Sequence, residues 1–139
     1  MGVIRGSSYY EIVVSRSWTE AEEKAQQLGG NLVSIDSHQE NQFLANGPFS
    51  YEALGRYNEF WIGLNDLNGS WSWSSGDTYD YSSTFFKDEP SWMRWSAAAI
   101  RVANTNRYGQ DVTPLRATWR DLPANYPEQY EYVEAGIAE

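Results

Sequence analysis

No position of this chain is a cysteine. Whatever it folds into must therefore be held by burial and hydrogen bonding, with no covalent staple restricting the unfolded state. The same absence removes thiolate nucleophiles and thiolate metal sites. It does not place the protein inside a cell, because a core large enough to stand alone needs no bridges. A chain of 139 residues can build such a core and has the length of one domain, expected to span 1–139. The material is aromatic: seven Trp, ten Tyr and five Phe, with a dense run between Phe60 and Trp95. Trp and Tyr join a large apolar body to a polar tip that needs a partner, so they serve cores and recognition surfaces alike.

Charge narrows the partners. Ten Lys and Arg against nineteen Asp and Glu leave a net charge of −9. Such a chain repels phosphate backbones and anionic lipid, so nucleic acid is not an expected partner. No apolar run is long enough for a membrane helix, and the start, Met1-Gly2-Val3-Ile4-Arg5, shows no signal peptide. The one histidine, His38, sits in Ser37-His38-Gln39-Glu40 and reads as an exposed residue in the first turn of a helix. Neither a His-based zinc site nor a triad can be assembled from it, and no nucleophile–base pair with an orienting group is visible; the chain is not expected to be an enzyme.

Local patterns give an α+β order. Residues 9–14 are aromatic and β-branched and predict a first strand. Ser17-Trp18-Thr19-Glu20 is a capping box, followed by Trp18, Ala21, Ala25 and Leu28 on one helical face and by Gly29-Gly30, which can end the helix at positive φ. Asn31–Ile35 predicts a short strand. Ser37 and Glu40 open a second helix through about Leu44, with Phe43 and Leu44 inward, broken at Gly47-Pro48. A polar connection over 50–59 leads to a dense buried strand, Phe60–Leu64. Asn68-Gly69 is a turn, Trp71 and Trp73 alternate as in a half-buried strand, and Ser75-Gly76-Asp77 turns again. Ala97–Val102 reads as a strand, 104–115 as a loop, 117–119 as strand-like, and the tail as one last strand at 130–133 or 136–139. The loop from Gly76 to Trp95 exceeds the length that usually goes without a task, so binding is expected there.

These motifs, in this order, resemble the C-type lectin-like domain. The residues are Trp18 and Ala21; Leu28-Gly29-Gly30-Asn31-Leu32-Val33-Ser34-Ile35; Glu40, Phe43 and Leu44; Trp61-Ile62-Gly63-Leu64-Asn65-Asp66; Trp71, Trp73, Gly76 and Tyr79; Lys87-Asp88-Glu89-Pro90-Ser91; and Trp119-Arg120-Asp121. The resemblance implies two helices flanking short antiparallel sheets with a long loop region. It also implies an extracellular or cell-surface, non-enzymatic recognition module for a glycan or glycoprotein. A protein–protein or spacer domain with a degenerate calcium site is the alternative. Family members usually carry two disulfides, and the matching positions here are Ala25, Ala97, Ala124 and either Ala138 or Val133. Losing a disulfide removes about 2–4 kcal/mol that burial must offset. The cysteine-free pattern is similar to the bacterial branch of the family, where such domains are modules of larger extracellular, adhesin-like proteins.

The resemblance further implies a Ca²⁺ site built from Glu89, Ser91 and Asp121, with ligand contacts extending to Trp92, Arg94, Trp95 and Arg120. Ca²⁺ takes 6–8 oxygen ligands. Against it stand Ser91 in place of an amide, the lack of an acidic residue between Glu89 and Ala97, and above all Arg120, whose guanidinium has donors and no acceptor. Arg120 could stand between Glu89 and Asp121 as a built-in cation or point away and leave a ligand missing. Asp66 reads as a turn aspartate; Asp88, Asn104, Asn106 and Asp111 could supply other oxygens. Trp92 and Trp95 either stack on a sugar or anchor the loop, while Trp61, Trp71, Trp73 and Trp119 are expected in the core.

Overall fold

The structure is a computed structural model and describes residues 2–81, 96–105, 109–124 and 133–139. The chain opens with a hairpin, β1 (Gly2–Arg5) and β2 (Ser8–Val14), turned at Gly6 with φ 60°. The sequence reading had found only the second of these strands. Helix α1 (Trp18–Gln27) follows. Ser17 caps it by accepting from the Glu20 N–H at 3.1 Å, while the Ser17 N–H donates to Ser15 Oγ. Trp18, Ala21 and Ala25 are buried as expected, but Leu28 is exposed, because it is already the C-cap and lies past the buried stripe. Gly29 then takes φ 96°.

Asn31–Ile35 is buried from Leu32 onward yet is not a strand. Its backbone bonds are divided: the Val33 N–H goes to Ile137, Asn31 exchanges bonds with Glu139, and Val33 O accepts from Gly63. No single neighbour offers a continuous ladder. Helix α2 (His38–Asn46) starts at the Ser37 cap and leaves His38 exposed, Leu44 buried and Phe43 packed at the core edge. The stretch read as plain connection contains a short helix, α3 (Tyr51–Leu54), capped by Ser50.

Strand β3 (Glu59–Asn65) is buried at every position, as its Phe-Trp-Ile-Gly-Leu run demands. Next come β4 (Ser72–Trp73), β5 (Ala97–Arg101), β6 (Trp119–Leu122) and β7 (Ala135–Ala138). The strand expected at 117–119 begins two residues later, since Ala117 stands at φ 69° and cannot be extended. The last strand lies near the second of the two expected positions. The described strands join in one mixed sheet, ordered β1-β2-β7-β3-β5-β6 with β4 on β3. β7 meets β3 in parallel, and the other pairs are antiparallel. What reads as several short sheets is thus one, because β7 returns between β2 and β3.

Strand alternation divides the interior into two cores, one on each face. Phe60, Ile62, Leu64, Ala98, Ile100 and Trp119 pack with Leu44 and Ala45 of α2. Trp61, Ala97, Ala99 and Leu122 pack with Trp18, Ala21 and Ala25 of α1. Ala25, Ala97 and Ala124, which the resemblance matches to cysteines, belong to this second core, as do both alternatives for the fourth position, Val133 and Ala138.

Candidate functional site

Strand β6 carries the one described part of the expected site, and its entry is tightly controlled. A 3-10 turn at Thr113–Leu115 delivers Arg116, whose guanidinium donates to Ala45 O, Asn104 Oδ1 and both Glu52 oxygens. This pairing holds the Glu52 carboxyl below the usual carboxylate range. Ala117, in the left-handed region, turns the chain into β6. Asn41 of α2, fully buried, clasps that turn: its Nδ2 donates to Ala117 O at 2.9 Å and its Oδ1 accepts from Trp119 Nε1 at 2.9 Å.

From there the strand sends its side chains to alternate faces. Trp119 and Asp121 share the α2 face, opposite Ile100 and Ala98. Trp119 meets Trp73 at 5.5 Å and Tyr81 at 6.0 Å edge-on, and Trp73 meets Tyr79 at 6.0 Å. These rings fasten the end of the 77–81 segment, with Ser34 Oγ donating to Asp77 at 2.5 Å and Tyr81 OH lying 3.4 Å from His38 Nδ1. Tyr79 and Tyr81, the last aromatics before the segment beyond the described residues, are thus anchored to core aromatics. Trp61, Trp73 and Trp119 are buried as expected, whereas Trp71 is half-buried at the core edge. Asp121 is 1% exposed.

Arg120 lies opposite Ala99, on the α1 face. Its Nε and Nη2 donate to the two oxygens of Glu59 at 2.7 and 2.5 Å. Glu59 opens β3, pairs in register with Arg101, and has the Arg101 Nε at 3.8 Å; Arg101 Nη1 also donates to Thr118 Oγ1. The Arg120 fork therefore reaches back over β5 to β3 rather than off the β6 edge. The sequence reading passed over Glu59 and Asn41. Glu59 had a signal, a lone acid directly before an all-buried strand; Asn41 had none beyond being a polar residue near the apolar face of α2.

The other expected site residues divide as follows. Glu89, Ser91, Trp92, Arg94 and Trp95, with Asp88 and Asn106, lie outside the described residues. Asn104 and Asp111 do not offer convergent oxygens: Asn104 Oδ1 accepts from Arg116 and Asp111 Oδ1 from Thr113. Asp66 shapes the turn closed by Gly69. Among the described residues no three His, Cys, Asp or Glu side chains group as a metal site. The described part of the expected calcium site supplies one carboxylate and, next to it, a guanidinium committed to another carboxylate. That donor set does not fit Ca²⁺.

A second acidic region joins β2, α2 and β7. Glu40, buried, accepts from Tyr10 OH at 2.7 Å and from the Asp36 N–H at 3.1 Å. Burial, then the Glu40 charge, raise the carboxyl of Glu139; burial, then Glu40, Asp77 and Asp80, raise that of Asp36.

Comparison with known proteins agrees with this geometry. Human asialoglycoprotein receptor 2 is 34% identical over 80 residues, covering 56% of this chain and 23% of the receptor. Mouse asialoglycoprotein receptor 1 is 37% identical over 77 residues, covering 54% and 24%. The chain thus spans about a quarter of the length of these relatives. Among solved structures, the C-type carbohydrate-recognition domain of cow CD23 superposes with a TM-score of 0.70 at 20% identity, covering 98% of this chain and 89% of that one. The family model described as Lectin C-type domain matches residues 14–128, from the end of β2 through β6. With the motif order, the mixed sheet and the two flanking helices in agreement, the chain belongs to the C-type lectin domain family.

Proposed function

We propose that this chain is a non-enzymatic recognition module that binds carbohydrate through residues of the 82–95 segment and of β6. The observation that supports this most is the anchored approach to the 82–95 segment: Tyr79 and Tyr81 are pinned on Trp73 and Trp119, and Asp121 is buried on the same side of β6 as Trp119. Family membership supports the class of ligand, and the cow CD23 domain was crystallised in the presence of an oligosaccharide. The residues proposed to contact ligand are Glu89, Ser91, Trp92, Arg94, Trp95 and Asp121. Arg120 is reassigned from direct contact to holding the strand that carries Asp121, on the strength of its bonds to Glu59. The domain is proposed to occupy 1–139 as one extracellular or cell-surface module of a larger protein of the bacterial, cysteine-free type.

A second reading, a protein–protein contact or spacer domain, is favoured by the guanidinium of Arg120, bonded to Glu59, where the resemblance implies an oxygen ligand. A glycan array with the purified chain separates the two. Saturable binding to a defined glycan, lost in Glu89→Ala and Trp92→Ala variants that melt like the parent, supports recognition of sugar. An array without signal, beside a protein captured by the same face, supports the second.

A further inference from the structure

The middle residue of Trp119-Arg120-Asp121 stands where the family resemblance places an oxygen ligand for Ca²⁺. We infer that in this protein the Glu59–Arg120 ion pair fastens β6 in place of a metal, so that the domain folds and presents its recognition face without a divalent cation. The part concerning recognition rests on the function proposed above; the part concerning fastening does not.

Three observations carry it. The first is chemical: a guanidinium has five N–H donors and no lone pair to give, so the side chain at position 120 supplies no oxygen to a cation and repels it. The second is direction. Strands lie about 4.8 Å apart, so the Arg120–Glu59 bridge spans two strand spacings across β5 and ties the edge strand to the centre of the sheet. Both bonds are short and planar-forked, the geometry that Arg and carboxylate form best. The third is commitment. The Glu59 and Arg120 side chains are 10% and 18% exposed, so moving Arg120 off Glu59 would leave a nearly buried carboxylate with, among the described residues, only the longer ion pair to Arg101 at 3.8 Å. The arginine is therefore not free to swing aside for an ion.

The test uses the full 139-residue protein with Ca²⁺ alone and Tb³⁺ alone as probes. Thermal melts in about 5 mM Ca²⁺, above the range in which extracellular modules bind it, are compared with melts in EGTA. Tryptophan-sensitised Tb³⁺ emission is followed in parallel, since Trp119 neighbours Asp121. The expected result is the same melting temperature in both buffers and no saturable, Ca²⁺-competed emission. Glu59→Gln should melt several degrees lower, with no recovery in Ca²⁺. A Ca²⁺-dependent rise of several degrees in the parent, or saturable Tb³⁺ emission lost in Asp121→Asn, overturns the inference. So does a Glu59→Gln protein that melts like the parent. Should Glu59→Gln not accumulate folded, the parent's metal titration decides alone. Flat metal titrations with an empty glycan array would remove the sugar reading and leave the metal-free fastening standing. Glycan binding that disappears in EGTA would do the reverse.

Discussion

The strength of the Glu59–Arg120 pair can be measured by a double-mutant cycle of Glu59→Gln, Arg120→Gln and the two together. Removing one partner of a fully buried ion pair costs about 3–5 kcal/mol, chiefly because the other charge is left in a poor solvent. Two features reduce that here: each side chain keeps some contact with water, and Arg101 stays 3.8 Å from Glu59. About 2–3 kcal/mol is expected for Arg120→Gln. A similar loss is expected for Glu59→Gln, which leaves two guanidiniums facing each other with less negative charge between them. The double variant should lose less than the sum, with a coupling energy of about 1.5–2 kcal/mol. Urea unfolding followed by tryptophan fluorescence gives these values directly, provided the denaturant slope stays constant across the four proteins. A coupling energy below about 0.5 kcal/mol would place the pair among ordinary surface ion pairs and refute the fastening role.

Other expectations follow from single contacts. Ala117→Gly should stabilise the protein by about 0.5–1 kcal/mol, because the φ of 69° strains a Cβ and suits glycine; calorimetry showing a loss would mean the strain is absent. Asn41→Ala should cost about 2–4 kcal/mol, since it takes the acceptor from Trp119 Nε1 and the donor from Ala117 O inside a fully buried site; an unchanged urea midpoint would contradict this. For pH, the Glu139 carboxyl is raised in the folded state, so the folded protein holds its proton to higher pH than the unfolded chain does. Its protonated form favours folding, and stability should fall as pH rises above the ordinary glutamate range, about 4.5. Glu139→Gln should flatten urea midpoints over that window, while the lowered Glu52 carboxyl acts below it, in the opposite sense.

Much of this fold was legible because its signals are local. Ser17 and Ser37 declare their helices through bonds three residues long, and the apolar run at 60–64 could only be a buried strand. Where the reading failed, the cause was distant in sequence. Leu32 and Val33 have the composition of a strand, but β7, more than a hundred residues on, and Gly63 divide their backbone between them. β1 was missed because its pattern is mixed and its pairing is supplied by β2. At the site, the oddity of Arg120 was plain from the resemblance, which implies an oxygen ligand at that position. Its partner was not, since Glu59 is separated by 61 residues and is chosen by the register of three strands.

That register also links stability to recognition. A strand has two faces, and β6 uses both: Arg120 goes to the α1 side, where it closes on Glu59, while Asp121 goes to the α2 side, the side on which Trp119 holds Tyr81. The α1-side core also holds the residues that the resemblance matches to cysteines, Ala25, Ala97, Ala124 and either Ala138 or Val133. With no covalent closure there, the ladder from β3 through β5 to β6 is held from that side by packing, by the Arg120 fork and by Arg101, which reaches both Glu59 and Thr118. Weakening the fork should therefore loosen Asp121 without touching it. If Asp121 takes part in binding, Arg120→Gln should speed ligand release more than it slows association, because the contact surface is kept while its support is lost.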